Sequence, residues 1–168
     1  MLRSKGDYDE AEPLYRRALD IRERVLGPDH LGTAVSLNNL ALLYRDKGDY
    51  AGAEAYLRQA IDIGERVLGP DNPDTAASLN NLAALLRDMG DGDGAESLYR
   101  RALDIHEKVL GWDHPQTASN LVNLGLLLED KGENEGAETL LRRALDIFER
   151  VFGRHQSEQY GRLASKQG

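Results

Sequence analysis

The sequence has no cysteine, two phenylalanines, one tryptophan and five prolines among 168 residues. Without thiols there are no disulfides, thiolate zinc sites or cysteine nucleophiles. No apolar run approaches the roughly 18–20 residues that a membrane-spanning helix needs, and Met1-Leu2-Arg3-Ser4-Lys5-Gly6 holds no apolar signal core. The expected location is therefore the cytoplasm. Basic residues are the minority: 21 Lys and Arg against 29 Asp and Glu give a net charge of −8. With a pI near 5.0, neither nucleic acid nor a membrane surface is an expected partner. There is no phosphate loop and no dinucleotide fingerprint. The histidines His30, His106, His114 and His155 are dispersed, with no second ligand at metal spacing on one helix and no serine–histidine–carboxylate arrangement. No catalytic residue, metal or cofactor is expected, and the chain does not read as an enzyme.

What is present is a period. The length is four times 42, and Val25, Val67, Val109 and Val151 each open a Val-Leu-Gly or Val-Phe-Gly triplet at a spacing of 42. Fixed self-similarity at such a period is the signature of a stacked repeat array. Each copy holds two apolar stripes at helical spacing. In helix A the stripe is Ala34, Leu37, Leu40, Ala41 and Tyr44; in helix B it includes Ala53, Tyr56, Leu57, Ala60, Ile63 and Val67. Gly6, Gly48, Gly90 and Gly132 mark the A-to-B turn. Gly27, Gly69, Gly111 and Gly153 follow the last apolar residue of helix B, where a left-handed residue ends a helix. Asn72-Pro73 and His114-Pro115 read as restarts, and His30-Leu31-Gly32 as a restart without proline. These signals predict an incomplete first copy over 1–27, mainly helix B. Three complete pairs follow over 31–69, 73–111 and 115–153, then a partial capping helix or tail over 154–168. Both ends read as cut, as in part of a longer array or a chain that pairs through its ends.

Leu37-x2-Leu40-Ala41-x2-Tyr44, followed by Ala53-x3-Leu57 and Ala60, resembles the tetratricopeptide repeat. That repeat usually spans about 34 residues; the extra length here lies in helix B and the Leu-Gly-Pro-Asp-His loop, and resembles the 42-residue variant of kinesin light chains and many bacterial repeat proteins. HEAT repeats have similar lengths, but the glycine at a fixed offset between A and B favours the tetratricopeptide grammar. Propeller blades would need four strands per period, and the stripes are helical. The resemblance implies an all-α, right-handed superhelical solenoid of antiparallel helix pairs whose A helices line an inner wall. It also implies a protein-interaction scaffold with a protein or peptide partner.

On that wall the expected peptide-binding residues are Asn38, Asn39, Leu42 and Arg45 in the first full pair. Asn80, Asn81, Ala84 and Arg87 follow in the second, and Ser119, Asn123 and Leu126 in the third. Asparagine is an indifferent helix former, yet its amide offers the donor and acceptor that pairing with a peptide backbone requires. Helices packed roughly 8–10 Å apart would meet a strand advancing about 3.3 Å per residue at every third residue. Arg45 and Arg87 would favour acidic groups, while Asp46, Asp88, Glu129 and Asp130 would oppose them, so a mildly acidic or mixed peptide is expected. The competing reading is that the asparagines merely satisfy one another between adjacent A helices.

Other features read as structural. The series Glu12-Arg16-Asp20-Arg24 and its copies alternate in sign at i, i+4, as a solvated helix face does. Asp91-Gly92-Asp93-Gly94 lacks the spacing of a calcium loop. Trp112 is expected to pack over a helix end. Phe148 and Phe152 suggest that the last helix B is covered by the C-terminal segment or by a second chain. End-to-end self-assembly is thus the alternative function, and a regulatory region of a larger protein a further one.

Overall fold

The computed structural model describes residues 8–164, with side chains for residues 8–151 and 153. Among the described residues there are seven helices and no strands: α1 (Tyr8–Leu26), α2 (Leu31–Asp46), α3 (Tyr50–Leu68), α4 (Pro73–Asp88), α5 (Gly92–Val109), α6 (Pro115–Asp130) and α7 (Asn134–Ala164). The even-numbered helices are of type A and the odd-numbered ones of type B. The chain divides within α5 into two compact units, residues 1–105 and 106–168.

The A-to-B turns repeat one solution. After α2, the Gly48 N–H donates to the Arg45 carbonyl (2.9 Å) and the Asp49 N–H to the Tyr44 carbonyl (2.9 Å). This Schellman pair satisfies the last carbonyls of the helix and requires a left-handed residue between them. Gly48 supplies it at φ 82°. Asp49 then caps the next helix, its Oδ1 accepting the Gly52 N–H at 3.0 Å. The same bonds recur around Gly90, where Asp91 accepts the Gly94 N–H at 3.0 Å. The Asp-Gly-Asp-Gly segment is thus a turn whose first aspartate caps α5.

The B-to-A loops also share a device. Gly27, Gly69 and Gly111 have φ values of 97°, 94° and 96°, and a threonine in the following A helix donates to each glycine carbonyl: Thr33 at 2.8 Å, Thr75 at 3.4 Å and Thr117 at 2.8 Å. His30 and His114 turn out to be full N-caps, their Nδ1 atoms accepting from Gly32 N (3.0 Å) and Gln116 N (3.2 Å), as Asn72 Oδ1 does from Asp74 N (2.9 Å).

The expected stop at Gly153 does not occur: α7 runs through it to Ala164. The sequence shows why. Arg154 stands where the other copies place Pro28, Pro70 or Trp112, and Gln159 stands where they place Thr33, Thr75 and Thr117. Neither the breaker nor the carbonyl lock is present to favour a loop over continued helix.

The first unit packs α1 on α2, α2 on α3, and α3 on α4. Its core is Leu37, Leu40, Ala41 and Leu43 of α2 with Ala53, Leu57 and Ala60 of α3. Ala76 and Leu79 of α4 meet Ala102 and Ile105 of α5 in a further cluster. Alanine at 53, 60 and 102 lets backbones approach closely, and Tyr44 and Tyr56 meet edge to face at 5.3 Å. In the second unit, Leu121, Leu124 and Leu127 of α6 pack with Ala137, Ala144 and Ile147 of α7. Phe148 is half-buried, and the Phe152 side chain lies outside the described residues.

Candidate functional site

In the first unit, the side chains that project between α2 and α4 begin with Asn38. Its Nδ2 donates to the Ala34 carbonyl one turn back (3.2 Å) and across to Ser78 Oγ (2.9 Å). Its Oδ1 accepts from Asn81 Nδ2 at 3.3 Å. Farther along, Arg45 pairs with Asp88 at 3.5 Å. The A helices are therefore tied to each other by part of the residue set expected to receive a ligand. Asn38 has both amide hydrogens engaged and acts as a tie. Arg45 likewise pairs with a carboxylate of its own chain.

The amide row is not used up by these ties. Asn39 is exposed, and no side-chain hydrogen bond engages it among the described residues. Asn81 has one amide hydrogen bonded to Asn38 and keeps a second donor and its carbonyl. Asn38, Asn39 and Asn81 together border an open cleft of about 310 Å³ between α2 and α4, with Val35 and Ala77 on its sides and Gly64 of α3 on its floor. Leu42, Arg45, Asn80, Ala84 and Arg87 do not line it. In the second unit, Ser119, Asn123 and Leu126 occupy one face of α6 at i, i+4 and i+7. Ser119 is exposed and its hydroxyl donates to the Pro115 carbonyl at 3.0 Å.

The charge series holds more than a solvated face. Arg16 pairs with Glu12 (2.9 Å), Arg58 with Glu54 (2.6 Å), Arg100 with Glu96 (2.7 Å) and Arg142 with Glu138 (2.5 Å), each one turn apart. Glu12, however, also reaches α2. It accepts from Lys47 Nζ (2.7 Å) and from the Tyr44 hydroxyl (2.7 Å), and Arg16 donates to that same hydroxyl. The Lys47, Tyr44 and Arg16 donors hold the Glu12 carboxyl down at about 2. Burial and the bond to Glu12 push the Tyr44 phenol up to about 12. Copies two and three have Leu86 and Leu128 where the first has Tyr44, so this junction is built once.

Two further sets of ion pairs join consecutive copies, again invisible as i, i+4 patterns. In the first unit Arg66 reaches Asp29 (2.6 Å) and Arg101 reaches Glu65 (2.7 Å). In the second, Arg150 reaches Asp113 (3.0 Å) and Arg143 reaches Glu107 (2.7 Å). Arg143 also lies over the Trp112 ring at 4.5 Å, leaving the indole 63% exposed. No group of three or more His, Asp or Glu among the described residues is placed to hold a metal ion. No helix among them is long and apolar enough to cross a membrane.

Among the described residues, seven helices in repeating A–B order define an all-α helical-repeat fold of the solenoid class. The tetratricopeptide repeat family model matches residues 1–66, 43–91 and 74–150, and the chain belongs to that family. Its solved relatives are of the kinesin-light-chain-like type. BtubC (BKLC) from P. vanneervenii is 28% identical, with a TM-score of 0.79 over 88% of this chain and 59% of that one. This chain thus spans 59% of that relative's length. A putative kinesin light chain from Podosopora anserina, with nearly identical TPR-like repeats, shares the fold at 24% identity and a TM-score of 0.72, over 89% of this chain and 71% of that one. No curated protein matches the sequence. Tetratricopeptide repeats generally mediate protein–protein interactions, and as scaffolds they are generally non-enzymatic.

Proposed function

We propose that the chain binds an extended segment of a partner protein along its A helices, with no chemical step. The observation that carries this reading is the cleft between α2 and α4. Its rim holds the exposed, unengaged amide of Asn39 and the remaining donor and carbonyl of Asn81. A peptide backbone offers one donor and one acceptor per residue, so a carboxamide can fix its register while Val35 and Ala77 contact side chains. In the second unit, Asn123 and Leu126 would present the corresponding residues on α6. Selection from a peptide library on the purified protein tests this. Enriched peptides should lose binding to the Asn39→Ala, Asn81→Ala, Asn123→Ala triple variant; equal binding would defeat the reading.

A second reading, association of the chain with a further helix or copy, has one observation in its favour. Leu14, Ala18, Ile21 and Val25 form an exposed stripe on α1. Ile21 is 42% exposed, whereas its equivalents Ile63, Ile105 and Ile147 are 5%, 2% and 1% exposed.

A further inference from the structure

The repeat allows one copy to show what another leaves open. Arg22, Gly64, His106 and Phe148 are equivalent positions, 42 residues apart. In the first copy the Arg22 guanidinium crosses from α1 to α2, and its Nη1 donates to the Gly32 carbonyl (3.1 Å) and Ser36 Oγ (2.7 Å). In the third copy His106 occupies its own place and is buried to 2% exposure. The second copy has no side chain there. Gly64 leaves the floor of the α2–α4 cleft as bare backbone, so close to α4 that a Cβ on it would stand 2.8 Å from Thr75 Oγ1.

The acceptors are nonetheless retained. Asp74 and Ser78 are the counterparts of Gly32 and Ser36, and both border the cleft. Ser78 Oγ accepts from Asn38 and donates toward the Asp74 carbonyl at 3.5 Å, which leaves one of its two lone pairs unoccupied. Asp74 is the one ionisable residue among the described residues that line the cleft, and no lysine or arginine is among them. The cleft therefore presents a carbonyl, a hydroxyl and a carboxylate around a space that an arginine fills in the neighbouring copy.

We propose that this cleft takes an arginine side chain from the partner, which stands in for the side chain that Gly64 lacks. The inference rests on reading this face as the partner-binding one. The guanidinium would donate to Ser78 Oγ and the Asp74 carbonyl, as Arg22 does to their counterparts, and pair with the Asp74 carboxylate. Its aliphatic stem would lie against Val35, Ala60 and Ala77. Within a mixed peptide it would be the one residue whose sign is specified.

The test titrates the 15N-labelled protein with Nα-acetyl-arginine methylamide and with the uncharged citrulline analogue. The arginine probe should shift the amide signals of Gly64, Thr75 and Ser78 and bind about tenfold more tightly than citrulline. Asp74→Asn, at an exposed position, should weaken it severalfold. Equal binding of the two probes, shifts confined to other surfaces, or indifference to Asp74→Asn would overturn the proposal. The two readings fail separately. Library peptides that bind this face without arginine over Gly64 would overturn this inference and leave the groove standing. Probe binding with no peptide binding would remove the groove alone.

Discussion

Asn38 and Asn39 are adjacent, identical in chemistry and opposite in role. Asn38 closes three hydrogen bonds between and within helices, whereas Asn39 faces outward. Asn38→Ala should therefore cost about 1–2 kcal/mol, because it leaves partners of part-buried groups unmet. Asn39→Ala should change stability by no more than about 0.5 kcal/mol. Urea unfolding of the two variants checks this; equal losses would place both asparagines among the ties. The sequence could not separate them, since both fall on the non-core stripe and only the position of Ser78 on α4 decides which amide is engaged. Glu12 gives a second test. Its carboxyl is held at about 2 in the folded chain against an ordinary 4.5. A lowered pKa contributes stability in full above the unfolded value, and that contribution is lost as pH falls through the folded one. The stability difference between the wild type and Glu12→Gln should shrink from pH 4.5 toward pH 2. A difference constant across that window would contradict the cluster. Sequence pattern showed Glu12 only as one member of a repeating i, i+4 series, because Tyr44 lies on another helix and Lys47 just past its end.

Elements were more legible than side-chain partnerships. The stripe Leu37, Leu40, Ala41, Tyr44 and the glycine after it locate α2 and its turn, because a helix can bury only one face and must end where its carbonyls find donors. His30 and His114 as caps were harder to read, since an imidazole accepts only through a neutral nitrogen and capping by it is a local geometric matter. Gly153 shows where a signal depends on its surroundings. Glycine permits a stop but does not impose one, and without the following proline and threonine the helix continues. Opposite effects of one substitution follow. Gly69→Ala forces an alanine to φ 94° and should destabilise by about 1 kcal/mol or more. Gly153→Ala, at an exposed helical position with no described neighbour within 4 Å of the added Cβ, should stabilise by about 0.5–1 kcal/mol. Thermal unfolding of the pair decides it; stabilisation by both would mean that the positive φ at Gly69 carries no cost.

At the scale of the whole molecule, the period of 42 makes each unit a set of helix pairs joined to their neighbours by the same few devices. These are alanine contacts, threonine-locked glycines and the arginine pairs from one copy to the next. A stack built this way repeats its core while leaving the outward positions of the A helices free to differ. The copies also differ inside the stack, at Gly64 against Arg22 and His106 and at Tyr44 against Leu86 and Leu128. The most direct measurement is the structure of the chain with a library-selected peptide, or its 15N NMR footprint. The peptide should run along α2 and α4, with the Asn39 and Asn81 side-chain amides among the most strongly shifted signals. A footprint on the outer faces of α3 and α5, or on the Leu14–Val25 stripe of α1 with Asn39 and Asn81 unmoved, would contradict the assignment of this face.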